Sequence, residues 1–139
     1  MNELVQALTQ HDALMWAWRL IVWAAAAYLI VLGGLIFLRP ATVHRFFDGF
    51  ASSWGVNCLE AVLRLIVGLA FMGVSAKTKL PLVFFYFGAV LAATAFPIMF
   101  LYKFHKRQAT WVIPLVKRIL PLMGVCAIAL GALIGWASY

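Results

Sequence analysis

The chain has 139 residues, 66% of them hydrophobic and only 11% charged, with a net charge of +7. Soluble domains carry about a quarter charged residues, and one small core cannot hide this much apolar surface, so a water-soluble globule is excluded and the excess must face lipid. Backbone polar groups in lipid have to be paired within the segment, and long unbroken apolar runs select helices over a barrel of short alternating strands.

The N-terminal stretch holds Glu3 and Asp12 and lacks a basic region before a short apolar core, so it does not read as a cleavable signal peptide. No lipidation motif is read at either end. The first apolar run, residues 20–38, is long enough to cross about 30 Å of hydrocarbon. With Arg19 snorkelling and Trp16, Trp18 and Trp23 forming an aromatic belt, the span is expected over about 16–38.

Arg39-Pro40 stops that run, and Val43, Phe46, Phe47, Phe50 and Trp54 then recur at helical spacing, with Thr42, Arg45, Asp48, Ser52 and Ser53 turned elsewhere. The pattern predicts a short amphipathic helix lying at the cytoplasmic interface with its aromatics toward lipid. The alternative is an ordinary connector folded over the bundle.

A second span is expected over about 58–76. It must carry Glu60 and Arg64, four apart on one face with the acid nearer the N-terminus, the favourable order for an ion pair. Near its first turns such a pair anchors the helix among headgroups; deeper, it marks a pathway. Lys77 and Lys79 lead into a third span over about 80–102, in which Pro97 is expected to kink the helix near its end. A basic connector with Trp111 and Pro114 follows, and a fourth span covers about 118–138. The expectation is an all-α integral membrane protein, a single domain of four transmembrane helices.

Seven basic residues, Arg39, Arg45, Lys103, Lys106, Arg107, Lys117 and Arg118, lie in the first and third connectors, against Arg19, Lys77 and Lys79 on the other side. The excess of positive charge puts the two long connectors in the cytoplasm and both termini outside, in a bacterial-type inner membrane. Arg45, Lys106, Arg107, Lys117 and Arg118 are the expected contacts to lipid headgroups, so the charge speaks for membrane lipids as partners and not for nucleic acid.

Each half runs span, Phe-Leu (Phe37-Leu38 and Phe100-Leu101), a connector with His beside a basic residue, then Arg at the head of the next span. The paired openings "VLRLIVG" at Val62 and "VKRILPLMG" at Val116 hint at parallel repeats. Ala127, Gly131 and Gly135 recur every fourth residue in the fourth span, and Gly88 and Ala92 do so in the third, which makes them expected helix-packing faces.

No phosphate loop, G-x-S-x-G, H-E-x-x-H or paired carboxylates stand in the chain, and four acids leave little for acid–base chemistry, so an enzyme is not expected. Cys58 and Cys126 have no metal-ligand spacing, and a structural disulfide is not expected. His44 and His105, one in each half near span ends, form a lesser candidate site for haem or quinone. Bundle haems need His within the spans and none is there, so neither cofactor nor metal is expected.

The layout "GLIFLRP" at 34–40, an amphipathic connector, then "RLIVGLAFMG" at 64–73 resembles small bacterial inner-membrane proteins of uncharacterised function. The resemblance covers residues 20–76, about two-fifths of the chain, and implies no mechanism. The leading functional reading is a non-enzymatic accessory or assembly subunit. It would act through helix–helix and lipid contacts, with the 127/131/135 face turned to another membrane protein or to a second copy. The competing reading is a small oligomeric transporter or channel with Glu60 and Arg64 in the pathway.

Overall fold

The computed structural model describes residues 2–49 and 52–139, with side chains from His11 onward. Among the described residues six helices follow one another: α1 (Asn2–Leu38), α2 (Pro40–Gly49), α3 (Trp54–Val74), α4 (Pro81–Phe100), α5 (Tyr102–Arg118) and α6 (Leu120–Ala137), with a 3₁₀ turn at Ser75–Lys77. Four stretches are long and apolar enough to cross a bilayer: His11–Leu38, Trp54–Lys77, Pro81–Phe100 and Leu120–Ala137. The protein is an all-α, four-span membrane bundle.

Proline sets several helix starts. Pro40 and Pro81 open α2 and α4, and Pro121 stands in the first turn of α6; there the missing N–H costs nothing and the fixed φ is already helical. Ser53 caps α3 by accepting from the Val56 N–H at 3.3 Å. That cap starts the second span at Trp54, four residues before its expected beginning at 58. The third span ends at Phe100 and the fourth starts at Leu120, two residues inside their expected limits. α4 runs through Pro97 and stops three residues later; Leu101 N–H bonds back to the Pro97 carbonyl, and α5 begins at once. The basic connector between the third and fourth spans is therefore a 17-residue helix, not a loop.

α1 packs along α6 and α3 along α4, and the two pairs meet mainly through α1 and α3. Both pairs close on glycine. A Cβ at Gly33 would stand 2.7 Å from the Gly124 carbonyl and 2.6 Å from Ile128; one at Gly88 would stand 2.5 Å from the Gly68 carbonyl and 2.9 Å from Met72. Only glycine permits such an approach between backbones. Each half reads span, amphipathic helix, span, and exchanging the halves maps the α1–α6 pair onto the α4–α3 pair. The crossings at Gly33 and Gly88 lie at different depths, five residues before the end of α1 and twelve before the end of α4, while a second α1–α6 crossing, Gly131 at Ala26, comes twelve residues before the end of α1.

The apolar core has three parts. On the side of the termini, Val22, Ala26, Ala70, Phe71, Val74, Phe84, Ile134 and Ala137 join all four spans. On the opposite, connector side the packing divides: Ile36, Val43 and Leu120 tie α1, α2 and α6, while Ala61, Ala95 and Ile98 tie α3 to α4. α2 accordingly does not lay its whole apolar face on lipid. Val43 is buried against the bundle with Phe47 beside it, while Phe46 stays exposed; Phe50 lies outside the described residues.

Aromatic residues mark the side of the termini. Trp16 meets Trp23 edge-on at 6.5 Å, Arg19 lies 5.5 Å over Trp16, and Trp23 Nε1 donates to Ser138 Oγ at 3.1 Å. Trp18 departs from the expected belt and turns inward, against Gly73 of α3. Lys79 N–H donates to the Ala137 carbonyl and its Nζ to the Trp136 carbonyl, which fastens the α3–α4 turn to the end of α6.

Candidate polar centre and basic face

Asn57, Glu60 and Arg64 occupy positions i, i+3 and i+7 of α3, one polar stripe on an otherwise apolar helix. Because α3 starts at Trp54, Glu60 lies about 9 Å and Arg64 about 15 Å along the helix from its first residue. Arg64 is the eleventh of the 24 residues in that span. The pair thus begins in the second turn of the helix, deeper than if the helix began at 58, and reaches toward the middle of the span.

The ion pair is made. Arg64 Nη2 donates to Glu60 Oε1 at 2.6 Å and Nε donates to the same oxygen at 3.1 Å. The Glu60 side chain is only 12% exposed, and that of Arg64 35%. Tight pairing of this kind lowers the cost of an intramembrane charge without removing it. From α5, His105 turns its Nε2 toward the other carboxylate oxygen, Oε2, at 3.5 Å. Asn57 is fully buried, and its amide donates to the Ile98 carbonyl, freed because α4 ends two residues later. Among the described residues, Asn57 Oδ1 and Glu60 Oε2 are buried side-chain atoms with no hydrogen-bond partner.

α5 links the end of α4 to the start of α6 and buries none of its own residues. It carries Lys103, Lys106, Arg107, Lys117 and Arg118 together with exposed Phe104, Trp111, Val112 and Leu115. Lys106 lies 5.9 Å from the Tyr102 ring, and Arg107 and Arg118 are exposed, as is Arg45 on α2. Lys117 pairs with Asp48 of α2 and ties the two amphipathic helices together.

The expected 127/131/135 face is not one surface held out to a partner. Gly131 is buried against α1, Ala127 is half-buried, and a Cβ at Gly135 would meet nothing. Gly88 and Ala92 are likewise engaged within the chain, against Gly68. The two histidines are put to different uses: His105 faces Glu60, while His44 is half-buried on α2. Among the described residues no group of three or more His, Cys, Asp or Glu could hold a metal. Asn57 escaped the sequence reading, although a lone amide one turn before Glu60 extends the polar stripe and was the signal available. The chain matches no protein-family model, no curated protein and no solved structure.

Proposed function

We infer that this is a small non-enzymatic membrane protein that works at an anionic lipid surface, as an accessory or assembly factor acting through lipid and helix contacts. One observation carries the reading: α5 buries none of its residues fully and meets the apolar core through Val116, yet it combines Lys and Arg with an exposed apolar face that includes Trp111, 77% exposed. A helix of that composition gains its stability by laying the apolar face into the headgroup boundary, with its cations on phosphates. Each cation near an anionic leaflet contributes about 1 kcal/mol. Positive-inside bias would put this face in the cytoplasm of a bacterial-type inner membrane.

The test compares thermal unfolding in mild detergent with added phosphatidylglycerol or phosphatidylcholine. The anionic lipid should raise the Tm more, and a Lys103→Gln/Lys106→Gln/Arg107→Gln/Arg118→Gln variant should lose that preference. Equal stabilisation by both lipids, or a preference that survives in the variant, overturns the reading.

The depth of Arg64 supports a second reading, a small transporter or channel with Glu60 and Arg64 in its pathway. Under it, Glu60→Gln alters ion flux in proteoliposomes; flux unchanged by the substitution removes it.

A further inference from the structure

The two unpartnered oxygens lie one helical turn apart. Asn57 and Glu60 are i and i+3 on α3, where side chains of one face stand within reach of each other. Asn57 Oδ1 and Glu60 Oε2 are both acceptors, both buried, and lack a donor among the described residues. Native proteins seldom leave such atoms empty. The donors nearby are committed: Asn57 Nδ2 to the Ile98 carbonyl, Arg64 to Oε1. The remaining neighbour is His105 Nε2, 3.5 Å from Oε2 and long for a hydrogen bond.

We propose that Glu60, His105 and Asn57 form a site that binds one exchangeable proton inside the membrane domain. A single proton satisfies both empty oxygens. Imidazolium Nε2–H gives its proton to Oε2, the N–H bond breaking as the O–H bond forms, and the neutral imidazole regains a proton from hydronium on the connector side, leaving water. The new Oε2–H then donates to Asn57 Oδ1, while Oε1 keeps its bonds from Arg64. Release runs the same steps backwards, with no electrons exchanged.

The placement of the three groups suits loading from one side. His105 stands in the first turn of α5, the helix that buries none of its residues, and its imidazole is 18% exposed against 12% for Glu60. The other charged and titratable groups around the site are few. Arg64 comes from α3 itself, Tyr28 of α1 is within electrostatic range of Glu60, and exposed Lys103 and Lys106 flank His105 on α5. The only titratable side chain of α4, Tyr86, sits in the second turn of that helix, toward the opposite face of the membrane.

The chain has only two glutamates, Glu3 and Glu60. In a Glu3→Gln background with ¹³C-labelled glutamate, in phosphatidylglycerol/phosphatidylcholine nanodiscs, one side-chain carboxyl resonance therefore reports Glu60 without altering it. Titrated over the range in which the protein stays folded, that resonance should move from the ionised to the protonated position. Its midpoint should shift by at least half a pH unit in His105→Gln, roughly the smallest change that alters an equilibrium constant threefold. An Asn57→Leu variant should displace the protonated signal by removing the acceptor. A resonance fixed at the ionised position, or a titration unmoved by His105→Gln, overturns the proposal. So does a shift produced by sodium at constant pH, which would assign the two oxygens to a metal cation.

Discussion

Gly131 of α6 lies so close to Ala26 of α1 that a Cβ on it would stand 2.7 Å from the Ala26 carbonyl oxygen and 2.8 Å from Ile30. Within lipid such backbone contact is a main source of helix association, since the lipid tails are as apolar as the side chains. Gly131→Leu should therefore separate α1 from α6, lowering stability by about 1–3 kcal/mol or more, the usual range for overpacking. Gly135→Leu, four residues on and facing open space, should change stability by less than about 0.5 kcal/mol. Thermal unfolding of both variants in the same detergent checks the contrast; equal losses would mean that the crossing at Ala26 is not the contact that counts.

The α3–α4 pair is tighter still. Gly88→Ala adds one methyl group whose carbon would sit 2.5 Å from the Gly68 carbonyl and 2.9 Å from both the backbone nitrogen and the Cγ of Met72. The Met72 side chain can give way but the two backbone atoms cannot, so the helices must move apart. A fall in Tm is expected, with α3 and α4 becoming open to proteolysis before α1 and α6 do. An unchanged Tm would show that the backbones can shift at little cost.

Much of this architecture was legible in the residues. Four apolar runs bounded by charges give four spans whatever their packing, because the bilayer requires it. The small residues in the third and fourth spans also announce close contact. Their spacing does not say with whom, since a stripe every fourth residue looks the same whether the neighbour is α1 or another protein; Gly131 and Gly135 share a stripe and meet different surroundings. The α5 helix was missed because Pro114 and a run of Lys and Arg read as a connector, although Phe104, Trp111, Val112 and Leu115 supply the apolar face of an interfacial helix. Glu60 and Arg64 were visible as a pair, but their depth depended on the Ser53 cap, a local hydrogen bond that hydropathy does not register. The approach of His105 to Glu60 joins residues 45 apart and depends on where α5 lies, which no local pattern encodes.

Breaking the ion pair should cost more than removing it. In Arg64→Met the Glu60 carboxylate keeps its burial and loses both donors to Oε1. Breaking a buried pair in this way costs about 3–5 kcal/mol, and an Arg64 side chain about one-third exposed places this case near the lower end. The double variant Glu60→Gln/Arg64→Met leaves no uncompensated charge and should recover most of the loss. Unfolding free energies of the two single variants and the double give the coupling directly. A double variant no more stable than Arg64→Met would show that the carboxylate has other support.

Orientation has its own test, independent of stability. Four spans put α2 and α5 on one face, and the Ser75–Lys77 turn with both termini on the other. Positive-inside bias then predicts a cytoplasmic face bearing α2 and α5. In a Cys58→Ser/Cys126→Ser background, Ser52→Cys and Ala76→Cys place one exposed thiol on each side. A membrane-impermeant maleimide added to intact cells, with the outer membrane opened if there is one, should label Ala76→Cys at once. It should reach Ser52→Cys only after the inner membrane is permeabilised. The opposite pattern would turn the basic face outward, away from the anionic inner leaflet, and remove the charge argument for lipid engagement by α5. It would also mean that Lys77 and Lys79, the latter fastened to the end of α6 through the Trp136 and Ala137 carbonyls, outweigh the seven cations of the long connectors.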